Sequence, residues 1–289
     1  MNRLGQLVLS SRPLSWVNTA YPFAAAYLLT TRELDLTFWV GTLYFLIPYN
    51  LAMYGINDVF DYESDLRNPR KGGVEGAVLD RGMHRLTIWA AVLTNIPFVA
   101  YLVVVGSPLS WIVLAVSVFA VIAYSAPKLR FKERPFIDSL TSSTHFVSPA
   151  VYGLVLAGAV FTPALWALLV GYFLWGVASH AFGAVQDIIA DREGGIGSIA
   201  TVIGARATVR FAFIAYLAGG ALMLVLPWPG PLAAVLALPY AASILPFWNL
   251  ADADAERANA GWKRFLRLNF LTGFLVTLLL IWTVLLPAT

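Results

Sequence analysis

Four polar residues with the spacing of one helical face end a long apolar run in the first quarter of the chain. They are Asn57, Asp58, Asp61 and Asp65, and the apolar run covers residues 38–56. On a helix that continues past residue 56, positions i, i+1, i+4 and i+8 share one broad face. Three carboxylates there repel one another and are poorly hydrated at the end of a membrane helix. Mg²⁺ would neutralise them, since it binds one or two carboxylates and completes its shell with water and phosphate oxygens.

A second pair of carboxylates follows another apolar run. Asp187 and Asp191 come after residues 165–185, and their i, i+4 spacing again places them on one helical face. A single cluster of this kind can be merely the hydrophilic end of a membrane span. This chain has two such clusters, so the same explanation would have to apply to both. Two carboxylate clusters at the ends of two membrane helices can instead face each other across a diphosphate that is held by bridging Mg²⁺.

The spacing of these clusters resembles that of a known family. The pattern N-D-x-x-D-x-x-x-D, followed much later by D-x-x-x-D, is similar to that of the UbiA superfamily of intramembrane prenyltransferases. Residues 124–132, YSAPKLRFK, are similar to the Y-S-x-P-x-x-R-x-K segment of that family. The resemblance covers nearly the whole chain. It implies Mg²⁺-dependent transfer of a prenyl group from a prenyl diphosphate to an apolar acceptor in the membrane.

The resemblance also implies roles for individual residues. The Mg²⁺ ligands that it implies, directly or through water, are Asn57, Asp58, Asp61, Asp65, Asp187 and Asp191. The expected diphosphate-binding residues are Asn57, Arg67, Lys71, Lys128 and Arg130. Asp61, Asp187 and Tyr124 are the expected catalytic residues, with Tyr124 near the reacting end of the donor. For the basic residues a contact with lipid headgroups is the alternative.

Composition predicts an integral membrane protein. Of the 289 residues, 59% are hydrophobic and 12% are charged, whereas soluble domains carry about 25% charged residues. Apolar runs of about 20 residues, the length that crosses a bilayer, recur nine times. They cover residues 14–30, 36–56, 86–105, 109–124, 139–160, 163–185, 207–226, 231–250 and 265–286. The chain has no cysteine, which excludes disulfides and thiolate chemistry.

These runs predict an all-α fold with nine transmembrane helices in one domain over residues 1–289. The family resemblance implies a central cavity that opens to the cytoplasm, and the loop lengths suggest two pseudo-repeats of four helices plus one more. Eighteen of the nineteen Lys and Arg residues lie at the N-terminus or in alternate loops, and Arg32 is the exception. The positive-inside rule then places the protein in the cell membrane with a cytoplasmic N-terminus and an outer C-terminus. The net charge of +3 reflects these basic loops, and no nucleic-acid partner is expected.

Several other polar features admit two interpretations. The polar run at residues 138–145 can line a cavity or let helices pack closely, and packing is favoured. His180 lies two turns before Asp187 on the same helical face, where it can border the cavity or be structural. No Asp–His pair is evident inside the spans. Residues 195–200 lack the basic residue that many relatives carry there, which leaves Arg192 as a substitute.

The acceptor is suggested by one stretch. Residues 57–80 look most like the carotenoid branch of the superfamily, the lycopene elongases, which attach five-carbon units from dimethylallyl diphosphate to lycopene. The implied partners are these two substrates, the lipid bilayer and other carotenoid-pathway enzymes. A quinone-type prenyltransferase acting on hydroxybenzoate or naphthoate is the alternative. A transporter fits less well, because Arg32, Glu33 and Asp35 are the only charged residues on the predicted outer side.

Overall fold

The computed structural model describes residues 2–62 and 79–285, and no strand occurs among them. Its α-helices are α1 (Arg3–Ser10), α2 (Val17–Thr31), α3 (Leu36–Leu46), α4 (Pro48–Phe60), α5 (His84–Val105), α6 (Pro108–Ser125), α7 (Ile137–Leu156), α8 (Pro163–Val185), α9 (Ile188–Glu193), α10 (Ile199–Met223), α11 (Ala237–Ile244) and α12 (Asn259–Leu285). Its 3₁₀ helices are Pro13–Ser15, Arg81–Met83, Phe131–Glu133, Gly230–Leu236, Leu245–Phe247 and Asp252–Ala258. The all-α prediction is confirmed for these residues.

Seven stretches within the described residues are long and apolar enough to cross a membrane. They are Leu36–Phe60, Arg81–Val105, Pro108–Ser125, Pro163–Val185, Ile199–Met223, Gly230–Phe247 and Asp252–Leu285. Each corresponds to one of the nine predicted spans. The other two predicted spans are helices α2, which has only 15 residues, and α7, which is rich in Ser and Thr. The protein is an integral membrane protein, while the count of nine spans and their orientation stay predictions.

Large apolar side chains cover the outer faces of these spans. Leu93, Ile112 and Phe270 are each more than half exposed. An exposed apolar surface of this extent is unfavourable in water, because apolar area gains free energy by leaving it. In a bilayer the same side chains contact lipid, as the composition predicts.

The described chain falls into two compact units. The first comprises residues 1–131 and 144–159, and the second comprises residues 132–143 and 160–289. This division differs from the two predicted halves, because most of α7 belongs to the first unit and only its beginning to the second. The described members of the first cluster, Asn57, Asp58 and Asp61, lie in the first unit, and Asp187 and Asp191 lie in the second unit.

Aromatic side chains form the centre of the first unit. Phe23 is fully buried, and its ring lies 5.2 Å from that of Phe45 and 6.1 Å from that of Tyr152, measured between centroids. Tyr44 and Tyr49 are buried beside Phe45. Aromatic rings that pack in this way stabilise the fold by more than the burial of their apolar area alone. This cluster holds α2, α3 and α4 together.

The second predicted span, residues 36–56, is broken into α3 and α4 at Ile47–Pro48. Proline has no N–H and starts a new helix readily, so the carbonyls just before it lose their usual partners. Asn50 donates through Nδ2 to the carbonyl oxygens of Phe45 (2.8 Å) and Leu46 (3.1 Å). Thr19 also donates to the Phe45 oxygen, at 2.7 Å. These side chains make the break stable at membrane depth and fix the direction of α4, which carries the first carboxylate cluster.

The second unit is built on close contact between α8 and α10. Gly171 and Gly219 face each other so closely that a Cβ on either would lie 2.9 Å from the other's carbonyl oxygen. Phe182, Tyr216 and Tyr240 are fully buried in the same core. Small residues at a helix crossing are typical of membrane proteins. In lipid the hydrophobic effect does not hold helices together, and close packing of their backbones contributes the stability instead.

The last two predicted spans of the second unit differ in detail from continuous helices. The stretch Gly230–Phe247 consists of a 3₁₀ helix, α11 and a second 3₁₀ helix. The final helix, α12, begins at Asn259, six residues before the predicted start at Phe265. The length of an apolar run does not reveal whether its helix is α or 3₁₀. In this run Pro231, Pro239 and Pro246 each lack the backbone N–H that a continuous α-helix needs.

Candidate active site

The end of α4 presents Asn57 and Asp61 as a hydrogen-bonded pair. The helix stops at Phe60 instead of continuing, and Asp61 closes it with its N–H donating to the Asn57 carbonyl at 2.9 Å. The Asn57 Nδ2 donates to Asp61 Oδ2 at 2.7 Å and to Ser125 Oγ, at the end of α6, at 2.9 Å. An ionised carboxylate can only accept, so the amide nitrogen must face Asp61. The amide oxygen of Asn57 is therefore the atom that can face a cation.

Asp58 has a different environment from its neighbours in the first cluster. Its Oδ1 accepts from Arg12 Nη2 at 3.0 Å, and its side chain is fully buried. The Arg12 guanidinium also lies over the ring of Tyr54, 4.4 Å from the centroid. Arg12 thus compensates part of the charge of Asp58 through Oδ1, and the Mg²⁺-ligand role of Asp58 stays a prediction. Sequence reasoning missed this partner, because Arg12 lies 46 positions from Asp58 and outside every motif.

Three basic residues near this cluster have left-handed backbone conformations. Arg12, Lys128 and Arg130 have φ angles of 52°, 73° and 40°. Side chains other than glycine rarely adopt these angles, and such residues concentrate at functional sites. Arg130 Nη2 lies 3.8 Å from Asp61 Oδ1, while Lys128 is exposed. The segment after α6 therefore brings positive charge to the carboxylate of Asp61, as the predicted role of Arg130 requires.

Tyr124 lies beside Ser125 at the end of α6 and meets a buried histidine. Its ring contacts that of His145 edge to face, with 5.1 Å between centroids. The carbonyl of His145 accepts a hydrogen bond from the hydroxyl of Tyr49 at 3.4 Å. Aromatic side chains thus line the first unit next to the Asn57–Ser125 contact. The role of Tyr124 near the reacting end of the donor stays a prediction.

Three predicted site residues lie outside the described residues, namely Asp65, Arg67 and Lys71. Within residues 2–62 and 79–285 no group of three or more His, Asp or Glu side chains is arranged to hold a metal. The described donors at the end of α4 are one amide oxygen and the carboxylate of Asp61. These donors fit Mg²⁺, which takes few protein ligands and completes its octahedron with water and phosphate oxygens.

The second cluster lies on a single helical turn just past α8. Asp187 precedes α9, and the N–H of Asp191 donates to the Asp187 carbonyl at 2.8 Å. The predicted one-turn spacing of the two carboxylates is confirmed. Gln186 is held by Asn259, whose Nδ2 donates to the Gln186 Oε1 at 2.6 Å. This contact anchors the end of α8 to the start of α12.

Arg192 makes structural contacts in the second unit. Its Nη1 lies 2.8 Å from Asp252 Oδ2, and its Nη2 donates to the Thr201 carbonyl at 2.8 Å. Asp252 in turn accepts from the N–H of Ala205 at 2.7 Å, next to Gly204, whose φ of 79° interrupts α10. The sequence suggested that Arg192 replaces a missing phosphate-binding residue. In this structure its guanidinium ties α9 and the 3₁₀ helix Asp252–Ala258 to the interruption of α10, and a contact with phosphate stays a prediction.

The polar run at the start of α7 packs closely against α8, as favoured from the sequence. Ser143 donates to the carbonyl of Phe173 at 2.7 Å, and Gly176 packs directly on it, which is the favoured close packing. Ser139 instead links two titratable residues, Asp138 and His180. Asp138 precedes the predicted span at residues 139–160, so this link lies at the edge of the spans and runs through Ser139. The two residues are 42 positions apart, and only the fold brings them together.

The family model of the UbiA prenyltransferase family matches residues 19–272, a range that contains both carboxylate clusters. The chain belongs to this family. The predicted class of enzyme, a prenyltransferase, is thereby confirmed. The UbiA match begins after Arg12 and covers all the predicted site residues.

Curated relatives cover nearly the whole chain. The C(50) beta-cyclic carotenoids biosynthesis protein LbtBC of Dietzia sp. (strain CQ4) is 59% identical over 283 residues, which are 98% of this chain and 66% of that protein. This chain thus spans just under two thirds of the Dietzia protein. A lycopene elongase/hydratase of Corynebacterium glutamicum is 55% identical over 281 residues, covering 97% of this chain and 98% of the relative.

Solved structures of UbiA homologues share the fold. A homologue from Archaeoglobus fulgidus, described as bound to DMAPP and Mg²⁺, superposes with a TM-score of 0.71 at 17% identity. The match covers 92% of this chain and 98% of that protein. An apo structure of a homologue from Aeropyrum pernix K1 has a TM-score of 0.60 at 20% identity. At these identities the likeness establishes the helical UbiA fold.

Proposed function

We propose that this UbiA-family chain is a lycopene elongase. It transfers dimethylallyl groups from dimethylallyl diphosphate to the ends of lycopene, within the bilayer and with Mg²⁺ as cofactor. The observation that carries this proposal is the 55% identity to a lycopene elongase/hydratase over 97% of this chain and 98% of the relative. The Dietzia relative is likewise named for the biosynthesis of carotenoids.

The diphosphate end of the donor lies at the carboxylate clusters. Asn57, through its amide oxygen, and Asp61 would hold Mg²⁺ in the first cluster, and Asp65 is proposed for the same role from the sequence alone. When bound, Mg²⁺ neutralises the charge that develops on the departing diphosphate. Asn57 contacts the metal and not the diphosphate, because its Nδ2 already donates to Asp61 and Ser125. Asp58, fully buried against Arg12, contributes by fixing the end of α4.

Asp187 and Asp191 form the second Mg²⁺-binding cluster. Basic side chains bind the diphosphate oxygens, because charge on the leaving group must be compensated as the C–O bond breaks. Lys128 and Arg130 are the described candidates, and Arg130 already lies near Asp61. Arg67 and Lys71 are proposed for the same role from the sequence.

The hydrocarbon end of the donor lies among aromatic side chains. Loss of diphosphate leaves an allylic cation, which must be kept from water until an alkene carbon attacks it. Tyr124 and Tyr49 offer ring faces, which stabilise a cation without forming a bond to it. The terminal double bond of lycopene needs no deprotonation before it attacks. A proton is removed only afterwards, from the cation that forms on the acceptor.

Expression in a host that accumulates lycopene tests this function. Extracts are compared by mass spectrometry with those from the same host carrying an Asp61→Asn variant. We expect products that are heavier than lycopene by one and by two five-carbon units, and only with the wild-type chain. Lycopene that stays unchanged, while host quinone precursors become prenylated, would favour the aromatic-acceptor alternative.

A further inference from the structure

The helical turn that carries Asp187 and Asp191 is too short to keep its own shape. Asp187 is the residue before α9, and Asp191 lies inside this helix of six residues. An isolated helix of fewer than about 12–15 residues is only marginally stable, because fixing its first turn loses more conformational entropy than the hydrogen bonds compensate. Two carboxylates one turn apart also repel each other. The shape of this turn must therefore depend on contacts with other parts of the second unit.

At its beginning, the turn is held by two amide side chains. Gln186 is buried, and its Nε2 donates to the carbonyl oxygen of Gly183, in the last turn of α8, at 3.0 Å. Its Oε1 accepts from Nδ2 of Asn259, the first residue of α12, at 2.6 Å. The residue directly before Asp187 is thus fixed to another helix. Amides carry no charge, so this contact does not compete with a cation for the carboxylates.

At its end, the turn is held by Asp252. Arg192 follows Asp191 in α9, and its Nη1 lies 2.8 Å from Asp252 Oδ2. The other oxygen of Asp252 accepts from the N–H of Ala205 at 2.7 Å, and Arg192 Nη2 donates to the Thr201 carbonyl at 2.8 Å. An exposed ion pair alone contributes little to stability. Here the two backbone contacts fix both partners, so Asp252 is a firm point of attachment for α9.

The two attachment points belong to one short stretch, formed by the 3₁₀ helix Asp252–Ala258 and the first residue of α12. Ala255 and Ala258 of this stretch are fully buried in the core of the second unit. Apolar contacts therefore already keep the stretch in place. Its two polar contacts are additional, and they lead to the two ends of the turn that carries the carboxylates.

We propose that Asn259 and Asp252 are positioning residues for the second carboxylate cluster. This inference rests on the proposed function. Asn259 acts through Gln186 and Asp252 acts through Arg192, and together they keep Asp187 one helical turn from Asp191. The two carboxylates are then already arranged for Mg²⁺ before the ion binds. Replacing residues that orient metal ligands commonly lowers metal affinity about 10- to 100-fold.

The first test measures ion binding without turnover. Full-length protein in detergent is titrated with Mn²⁺, which takes the same oxygen ligands as Mg²⁺, and the free ion is measured by electron paramagnetic resonance. All chains carry Asp61→Asn, which weakens the first cluster. Asn259→Leu keeps the approximate size of the side chain and removes the donor to Gln186. We expect its Kd for Mn²⁺ to rise roughly 10-fold, and Asn259→Gln, which keeps an amide donor, to restore the affinity.

The second test uses chains with Asp61 intact in membranes supplied with lycopene and dimethylallyl diphosphate. Asn259→Leu should raise the Mg²⁺ concentration for half-maximal turnover roughly 10-fold, while kcat at saturating Mg²⁺ stays close to that of the wild type. Asp252→Asn should raise it roughly two- to fivefold, because Arg192 keeps its contact with Thr201.

Asn269→Leu is the matched control. It makes the same substitution in the same helix, α12, and removes the acceptor of a 2.8 Å hydrogen bond from the Tyr240 hydroxyl. We expect a lower unfolding temperature with wild-type Mn²⁺ affinity and Mg²⁺ dependence. The same profile for Asn259→Leu would mean that Asn259 only stabilises the fold, and would overturn the inference.

Two further outcomes separate this inference from the proposed function. Mn²⁺ binding that is absent from the Asp61→Asn chain, or equally weak in the Leu and Gln variants of Asn259, would overturn the inference while elongation of lycopene still supports the function. A wild-type chain that does not elongate lycopene would contradict the function. An ion affinity that still depends on the Asn259 amide would then leave the positioning role standing.

Discussion

At the scale of single residues, the hydrogen bonds of Asn57 distinguish between two roles, metal binding and diphosphate binding, that the sequence motif does not distinguish. The sequence suggested both metal and diphosphate contacts for this residue. Its Nδ2 donates to Asp61 and Ser125, which supports the proposal that its oxygen is the atom that binds the metal. In the same helical turn, the carboxylate of Asp58 pairs with the guanidinium of Arg12. Neighbouring positions of one motif thus have different tasks, since each depends on contacts with residues distant in the sequence.

The first prediction concerns the carboxylate of Asp61. Asp61→Asn keeps the shape of the side chain and removes the charge that Mg²⁺ and Arg130 require. We expect kcat to fall roughly 100-fold or more, because stabilisation of the leaving group is lost, while the protein remains folded. Steady-state kinetics over a range of Mg²⁺ concentrations measures this. Asp254→Asn, which changes an exposed carboxylate, is the control and should keep wild-type kinetics. Wild-type turnover by the Asp61 variant would contradict the assigned role.

At the scale of elements, apolar length and charge predict where helices lie but not how they are interrupted. The span Pro163–Val185 has the predicted bounds, since Thr162 caps it and Pro163 starts it. The break at Pro48 depends on Thr19 and Asn50, and the interruption of α10 at Gly204 depends on Asp252. These partners are distant in sequence, so a one-dimensional pattern does not contain them. The link from Asp138 to His180 was missed for the same reason.

The second prediction concerns the crossing of α8 and α10. Gly171→Ala places a methyl group 2.9 Å from the Gly219 carbonyl oxygen, a backbone atom that cannot move away alone. Overpacking of this kind costs about 1–3 kcal/mol of folding free energy. We expect a lower unfolding temperature in detergent. The control is Gly273→Ala in α12, where the added methyl group meets nothing within 4 Å. Equal unfolding temperatures for the two variants would show that the crossing is looser than described.

At the scale of the whole molecule, the distribution of charge predicts how the chain lies in the membrane. Seven of the nine predicted spans recur as long apolar helices in the described part of the chain. The remaining two, α2 and α7, carry more polar residues because they contribute to the interior, as the buried Thr19 and Asp138 indicate. The orientation follows from the positive-inside rule alone. The location of the membrane spans along the chain thus follows from composition, which can be taken directly from the sequence.

The third prediction is the topology itself. With nine spans, the C-terminus and the loop that contains residues 67–85 lie on opposite sides of the membrane. Reporter domains whose activity depends on the compartment are fused after residue 289 and inserted within that loop. We expect the loop fusion to report the cytoplasm and the C-terminal fusion to report the outside. The same compartment for both fusions would require an even number of spans between that loop and the C-terminus, whereas the prediction has seven.

The most direct test of the account is a reaction in isolated membranes. Vesicles that contain the chain are incubated with lycopene, Mg²⁺ and isotopically labelled dimethylallyl diphosphate, and the products are analysed by mass. The account predicts labelled products heavier than lycopene by one and then two five-carbon units, and none when EDTA removes the metal ion. Unchanged lycopene, together with label in an added hydroxybenzoate or naphthoate, would contradict it.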